Sequence, residues 1–266
     1  MSSIQIVKLS EENLEELIYF CIPKERRKEE VFKKGQELKK EYMHYYLDKF
    51  KTGVKLAYID KKLVGMIQYL PKPNELIIEI QCIFVPNETN QQKGIGKRLL
   101  QAVIEEMKEP KEYFNNQKPL ALVTFAFQVP ELYPQHIFYS KMGFQKIHKK
   151  NPYYLYYPLK KGYIYVSKVS ESKFEALPKD KGKAIIIIDP FCPFCFFFAK
   201  DCERVIRTVK EDIKVDYINS FSQKKELEKR GGIVPSYIVN QKPIHAFYKE
   251  EEAFIKEVEN ALNPKS

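Results

Sequence analysis

The stretch from Glu75 to Met107, ELIIEIQCIFVPNETNQQKGIGKRLLQAVIEEM, does most to restrict what this chain can fold into. Residues Leu76 to Val85 are mostly apolar and β-branched, the pattern of a strand covered on both faces. Pro86, Asn87 and Asn90 are turn residues that stop it. An amphipathic helix follows, with Leu99, Leu100, Val103, Ile104 and Met107 at helical spacing. The loop between them, Gln91-Gln92-Lys93-Gly94-Ile95-Gly96, brings two glycines to the helix start. The first turn of a helix has N–H groups with no internal partner, and the helix dipole adds partial positive charge there. Such a loop is an anion site, suited to a pyrophosphate. Lys93, Lys97 and Arg98 add formal charge. Glycine also serves ordinary tight turns, so the pair alone carries both readings.

The spacing differs from a dinucleotide fingerprint, which needs GxGxxG soon after a short strand. Gln-x-x-Gly-x-Gly after a long apolar strand resembles instead the acetyl-CoA motif of the GCN5-related N-acetyltransferases, the GNAT superfamily. A second motif lies downstream, Ile137-Phe138-Tyr139-Ser140-Lys141-Met142-Gly143-Phe144, similar to the family's late helix and glycine turn. Together they extend the resemblance over roughly the first 160 residues. It implies a mixed sheet flanked by helices, an α/β (α+β) fold. It implies acetyl-CoA as co-substrate, held by Gln91, Gln92, Lys93, Gly94, Ile95, Gly96, Lys97 and Arg98. Ile83, Phe84 and Val85 would pair with the pantetheine arm like an added strand. The family often has Asn at the position of Leu132 and a small residue at that of Gln135, and both differ here.

Transfer to an amine implies two further roles. An ammonium of pKa about 10.4 must lose a proton before attack, and a carboxylate can take it. Glu79, on the organising strand, is the candidate base; the plainer reading is a carboxylate paired with a strand-edge lysine. Tyr139 stands where the family places a tyrosine that assists the leaving thiolate; the plainer reading is an aromatic packed beside Phe138 and Phe144. The acceptor expected is a primary amine, on a small molecule or a peptide.

Elsewhere the pattern gives strands at Ile4–Leu9, Val54–Ile59, Leu63–Leu70 and Leu120–Phe127. It gives helices from Ser10 and over about Lys24–Phe50, and a helix from Pro134 to Lys141 ending at Gly143. Strands at Gln145–Lys149 and Tyr153–Tyr157 complete this half. Around Lys160–Lys183 the chain turns polar and rich in Gly, Pro and Ser, so a boundary is expected there, giving domains 1–160 and 161–266. Tyr163–Val166 is a candidate first strand of the second.

In the second half, Lys183 to Asp189 is an apolar strand running straight into Pro190-Phe191-Cys192-Pro193-Phe194-Cys195 and a helix. Strands near Val215–Ile218, Ile233–Val239 and Ile244–Phe247 and a helix over Glu250–Leu262 follow. Cys-Pro-Phe-Cys at a strand-to-helix junction, with Val234-Pro235 some forty residues on, resembles the thioredoxin/glutaredoxin fold, where such a proline is cis beside the dithiol. An acetyltransferase with a short domain of this kind is also similar to the YoaP-type GNAT proteins. Three readings of Cys192 and Cys195 stand. They form a redox dithiol, with Cys192 the nucleophile and Cys195 resolving. They are half of a metal site, for which no second half is recognisable in the sequence. Or they are inert thiols buried among Phe191, Phe194, Phe196, Phe197 and Phe198. The competing function class is therefore a dithiol oxidoreductase or redox sensor whose GNAT half only binds a ligand.

Charge bears on partners. The net charge is +10, with an excess of +7 over residues 1–160 and +3 over 161–266. Lysine is interspersed with glutamate, as in KERRKEEVFKKGQELKKE, which is a solvated helix face rather than a nucleic-acid reader built on arginine. The excess near the glycine loop suits a polyanionic ligand. No run reaches membrane-span length and the N-terminus lacks signal-peptide architecture, so a cytoplasmic protein with reduced cysteines is expected.

Overall fold

The computed structural model describes the chain apart from residues 1–2, 52, 87–89, 92, 127–132, 149–150, 167–173, 233 and 264–266. The chain divides into two compact units, one of Met1–Cys21 and Met43–Ser167, the other of Ile22–Tyr42 and Lys168–Ser266. The second unit thus takes in residues 22–42, which sequence reasoning assigned to the first half. Its apolar positions there, such as Phe32 and Leu38, find partners only in tertiary structure, which periodicity does not specify.

In the first unit, seven described strands form one mixed sheet. They are β1 (Gln5–Lys8), β2 (Val54–Ile59), β3 (Lys62–Lys72), β4 (Ile77–Phe84), β5 (Ala121–Phe125), β6 (Gln145–His148) and β7 (Asn151–Pro158). The order is β1-β2-β3-β4-β5-β7-β6. Neighbours run antiparallel except β4 and β5, which are parallel. Asp60 and Lys61, both at positive φ, make the two-residue hairpin between β2 and β3, the geometry whose twist suits such loops. Helices α1 (Leu14–Phe20), α2 (Glu30–Phe50), α3 (Ile95–Glu106) and α4 (Gln135–Lys141) complete the elements up to residue 160. A mixed sheet flanked by helices is the fold class expected. Phe127 and Lys149, expected at strand ends, lie outside the described residues. Tyr163–Val166 is not a strand: Tyr165 is buried against Ile77, Val123 and Tyr156, and its hydroxyl donates to Glu75 at 3.1 Å.

The core covers one face of the sheet. Ile67 and Tyr69 of β3 and Ile78 and Ile80 of β4 meet Leu99, Leu100 and Val103 of α3 there, with Tyr139 and Phe144. Helix α3 comes close at Gly65: a Cβ there would stand 2.8 Å from an Ile95 methyl and 3.2 Å from one of Leu99. The other end of α3 is tied by Glu106, which pairs with buried Lys55 and accepts from the Tyr69 hydroxyl at 3.3 Å.

The second unit holds β8 (Lys183–Ile188), β9 (Lys214–Asn219), β10 (Tyr237–Val239) and β11 (Lys242–Ile244) in the order β11-β10-β8-β9. β8 and β9 are parallel, and β10 runs antiparallel to both β8 and β11. The last two strands are shorter than expected, since His245–Phe247 leave the sheet. Helices α5 (Cys195–Val209) and α7 (Glu251–Leu262) bury Cys202, Val205, Ile206, Phe254 and Val258 on one face; α6 is Lys224–Glu228. Arg230, 2% exposed, forks onto Asp180 at 2.8 and 2.7 Å. Burial opposes ionisation of Glu203, but hydrogen bonds from Lys200, Tyr217 and Arg207 hold its pKa at about 2.

Gly65→Val should lower stability by about 1–3 kcal/mol, the usual range for overpacking, read as a fall in melting temperature. For Glu203 the depressed pKa means its contribution is present above the ordinary glutamate value of 4.5 and lost as pH falls towards about 2. Wild type should therefore lose more stability than Glu203→Gln between about pH 5 and pH 2, measured by denaturant titration.

Candidate active site

The organising strand is regular only to its midpoint. β5 pairs with β4 from Ile77↔Ala121 to Ile80↔Thr124, and there the Thr124 hydroxyl donates to the Ile80 carbonyl at 3.0 Å. At the same level the pairing of β4 with β3 shifts, from Tyr69↔Ile80 to Gln68↔Cys82, leaving Gln81 as a bulge. A bulge bends its strand and adds twist. It also changes the side-chain alternation, so Ile83 packs on the same core as Ile78 and Ile80. Beyond Ile80, residues Gln81–Phe84 have no registered partner on β5. Their outer backbone groups face a gap between two parallel strands.

That gap opens into a cavity of about 530 Å³, within the size range of ligand clefts. Its lining includes Ile83, Phe84 and Val85 from β4, Gly94, Ile95, Gly96 and Lys97 from the loop and α3, and Phe138 and Lys141 from α4. Gly94 stands at φ +77 as the N-cap of α3, where an L residue is strained, and a Cβ on it would meet nothing within 4 Å. No side chain caps this helix and its first turn carries no acidic residue. Arg98 N–H reaches Gly94 O at 3.0 Å, so the N–H groups ahead of it lack helical partners. The arrangement is a backbone cradle for an anion with one lysine, Lys97, at its edge.

Of the loop residues singled out in the sequence, Gln91, Gly94, Ile95, Gly96 and Lys97 line the cavity, and Lys93 and Arg98 do not. Gln91 reaches the Val85 carbonyl at 3.5 Å. Gln92 and Leu132 lie outside the described residues. Asn90, Tyr133, Gln135, Phe138 and Lys141 also line the cavity and were not singled out as site residues. Phe138 and Lys141 sit in the second motif, which was their signal. Tyr133 had none; its hydroxyl accepts from Lys141 Nζ at 2.9 Å.

Tyr139 is fully buried, between Phe138 and Phe144 at 5.2 and 4.9 Å. Burial, then the neighbouring Cys82, raise its pKa, while a hydrogen bond with Thr124 opposes them. Its hydroxyl therefore lies by the residues at which β4 and β5 part. Glu79 is on the opposite face from Ile78 and Ile80 and pairs with Lys72 Nζ at 2.9 Å. Burial lowers the Lys72 pKa, but Glu79 outweighs it and leaves it raised.

Residues 51–146, somewhat over a third of the chain, match the family model described as an acetyltransferase (GNAT) domain. The matched segment lies within the first unit. Comparison with curated proteins yields no match. Among solved structures, the chain is similar to a GNAT-family acetyltransferase from Staphylococcus aureus at 19% identity and a TM-score of 0.44, covering 59% of this chain and 100% of that one. It is similar to the PaiA N-acetyltransferase of Thermoplasma acidophilum, solved with coenzyme A, at 20% identity and a TM-score of 0.41, over 59% and 99%. A GNAT-family acetyltransferase of Brucella melitensis, solved with acetyl-CoA, is 15% identical with a TM-score of 0.39, over 60% and 90%.

In the second unit Cys192 is half-buried in the turn after β8, and Cys195, buried, opens α5. Cys195 N–H bonds to Cys192 O at 3.1 Å, and neither thiol is bridged. Burial and the adjacent Cys192 push the Cys195 thiol up to about 12. The Ser236 carbonyl accepts from Ile187 N–H at 2.9 Å, which puts Pro235 next to the end of β8. The Val234–Pro235 peptide is trans, not cis as the thioredoxin resemblance implied. Among the described residues no three His, Cys, Asp or Glu side chains gather as a metal site, and no helix is long and apolar enough to cross a membrane.

Inorganic pyrophosphate should raise the melting temperature of the wild-type protein, and Gly94→Glu should remove that shift by placing a carboxylate where the anion meets backbone. Differential scanning fluorimetry with and without pyrophosphate reads both.

Proposed function

We propose that the protein is an acetyl-CoA-dependent N-acetyltransferase acting on a primary amine by direct attack in a ternary complex. The observation that carries this reading is a coincidence of place. The segment matching the acetyltransferase family contains the parted β4/β5 pair, the glycine loop and the uncapped start of α3, all around one cavity. The pyrophosphate would take the free N–H groups of the loop and of Ile95, Gly96 and Lys97. The pantetheine arm would add to the outer edge of Ile83–Val85, and Gln91, Lys93 and Arg98 would face the phosphates as the loop closes on them.

The amine and the thioester then approach the gap from opposite faces of the sheet. On one side Glu79 takes the proton that the ammonium must lose. Its pairing with Lys72 makes this carboxylate a base only when the lysine moves aside or relays the charge through water. On the other side, collapse of the tetrahedral intermediate expels the CoA thiolate. Tyr139, kept protonated by its raised pKa, donates to that sulfur. A donor acting on the leaving group works on the transition state rather than on CoA binding.

For the second unit we infer a thioredoxin-like, YoaP-type module with Cys192 and Cys195 as a redox dithiol and Pro235 beside it. The strand order β11-β10-β8-β9, with β8 and β9 parallel and the cysteine turn at the start of α5, favours it. The trans Pro235 is a departure from that pattern. A cytoplasmic setting would keep the pair reduced.

Release of free CoA, followed across a panel of primary amines, tests the transferase reading, and absence of acceptor-dependent release with every amine class would overturn it. Tyr139→Phe should lower kcat by about tenfold or more, with the acetyl-CoA affinity within about twofold of wild type, since the ring still packs. Unchanged kcat over the whole pH range would leave Tyr139 as core alone.

A further inference from the structure

The dithiol turn is covered, within its own unit, by the first half of α2. Phe32 meets Phe194 edge-on at 5.0 Å and stacks on Phe197 at 5.2 Å. Ten residues on, Tyr42 meets Phe221 at 5.3 Å. Between them Gly35 presses on the turn itself. A Cβ at Gly35 would stand 2.0 Å from the carbonyl oxygen of Pro193, the residue following Cys192. That oxygen is backbone and cannot step aside as a side chain could, so position 35 admits glycine and nothing larger.

Lys39 lies one turn beyond Gly35 on the same helix face, since positions 32, 35, 39 and 42 recur at helical spacing. It is fully buried, and its ammonium has no hydrogen-bond partner among the described residues. Long side chains on a helix lean back over the preceding turn. Lys39 therefore leans back towards the Gly35 turn, whose backbone packs directly on Pro193. A buried cation is costly unless an anion faces it.

The titratable groups around that seam are few. The turn carries Asp189, whose carboxylate is exposed and accepts from Ser220 at 3.3 Å, and then Cys192 and Cys195. On α2, Glu37 pairs with Lys34, and Gln36 gives its amide to the Arg27 carbonyl. Glu29, just ahead of the helix, pairs with Arg26. Beyond Phe221 the next charge, Lys224, is a cation over that ring. Of these groups, the one in the turn that packs on Gly35 and can become an anion without being exposed is a cysteine thiol.

We propose that Lys39 is a positioning residue for the dithiol: its sealed ammonium favours the Cys192 thiolate and so makes Cys192 the attacking sulfur in exchange with a small-molecule disulfide. This rests on reading the second unit as a redox dithiol. The Cys192 thiolate attacks one sulfur of the disulfide, whose S–S bond breaks, and the released thiolate takes a proton from solvent. Cys195 then gives its proton to solvent and attacks the Cys192 sulfur, expelling the second small thiol. Two cysteine thiols are oxidised to one disulfide, and one small disulfide is reduced to two thiols. Cys195, buried and held protonated, is the weaker nucleophile of the pair before the exchange, which leaves the first attack to Cys192. Lys39 is fully buried, and charge effects are stronger away from water.

The test uses the full chain with hydroxyethyl disulfide and iodoacetamide as probes. Cys192 alkylation is followed by peptide mass spectrometry from pH 5 to pH 10 in wild type, Lys39→Met, Lys39→Gln and Lys39→Arg. The uncharged variants should move the alkylation midpoint up by about one pH unit and slow the reaction at pH 7 about tenfold. Arg should restore most of the rate. The Met protein should melt no lower than wild type, because a buried unpaired charge has gone. An unchanged midpoint in both uncharged variants, or faster alkylation at every pH, overturns the role of Lys39. If hydroxyethyl disulfide produces no Cys192–Cys195 disulfide in wild type, the dithiol reading itself falls.

Discussion

One hydrogen bond marks where the first unit stops being a plain sheet: Thr124 Oγ1 to the Ile80 carbonyl. It takes the acceptor that a continuing β4/β5 ladder would use and gives it to a side chain, so the pair ends without leaving that buried group unsatisfied. The bulge at Gln81 acts at the same level from the β3 side, bending β4 away and resetting which residues face the core. Gln68 donates to Gln81 at 3.1 Å across the irregularity. Everything useful about the site follows from this parting. Parallel strands joined by a crossover place α3 behind the sheet, and the start of that helix comes to the carboxyl end of β4, where the gap is. Gly65 lets the helix lie close, and Gly94 turns the chain into it.

Neither Tyr139 nor Glu79 is among the residues lining the cavity, and the proposed reaction needs both to reach the parting from opposite faces. Residues ahead of the bulge alternate faces in the ordinary way, so Glu79 looks away from the core that Tyr139 occupies. Two groups on opposite faces of an unbroken sheet cannot act on one bond. Where the strands separate, a substrate threaded between them would be open to both, as the proposed roles require.

Much of this was legible in the sequence because it is local. The strand, the glycine loop, the amphipathic α3 and the Phe-Tyr-x-Lys-x-Gly-Phe turn each carry their own signal within a dozen residues. The bulge was not legible: Gln81 looks like any polar residue in a strand, and the shift depends on pairing with β3. The Glu79–Lys72 pair depends on the same register. Tyr133 enters the cavity from a loop with no periodicity to read. The grouping of residues 22–42 was hidden for another reason. Lysines among glutamates describe a solvated helix, and on that pattern Lys39 and Gly35 look incidental. Burial of Lys39 and the close approach at Gly35 are decided by what α2 packs against, which composition cannot express.

The second unit buries two basic side chains and treats them in opposite ways. Arg230 meets Asp180 through both ends of its guanidinium, and its remaining donors reach the Glu226 carbonyl at 2.7 Å and carboxylate at 3.2 Å. That is a closed structural arrangement: planar fork to planar carboxylate, every strong donor matched. It ties the stretch ahead of β8 to the turn after α6, and neither charge is available to anything else. Lys39 is buried as deeply and matched to nothing among the described residues. A lysine can wait with one point charge for a partner that exists only part of the time. A thiolate is such a partner, present when Cys192 is ionised and absent once the sulfur is in a disulfide. On the proposed reading, the Arg230 charge holds the fold together, whereas the Lys39 charge is held for a change of state at the cysteine turn.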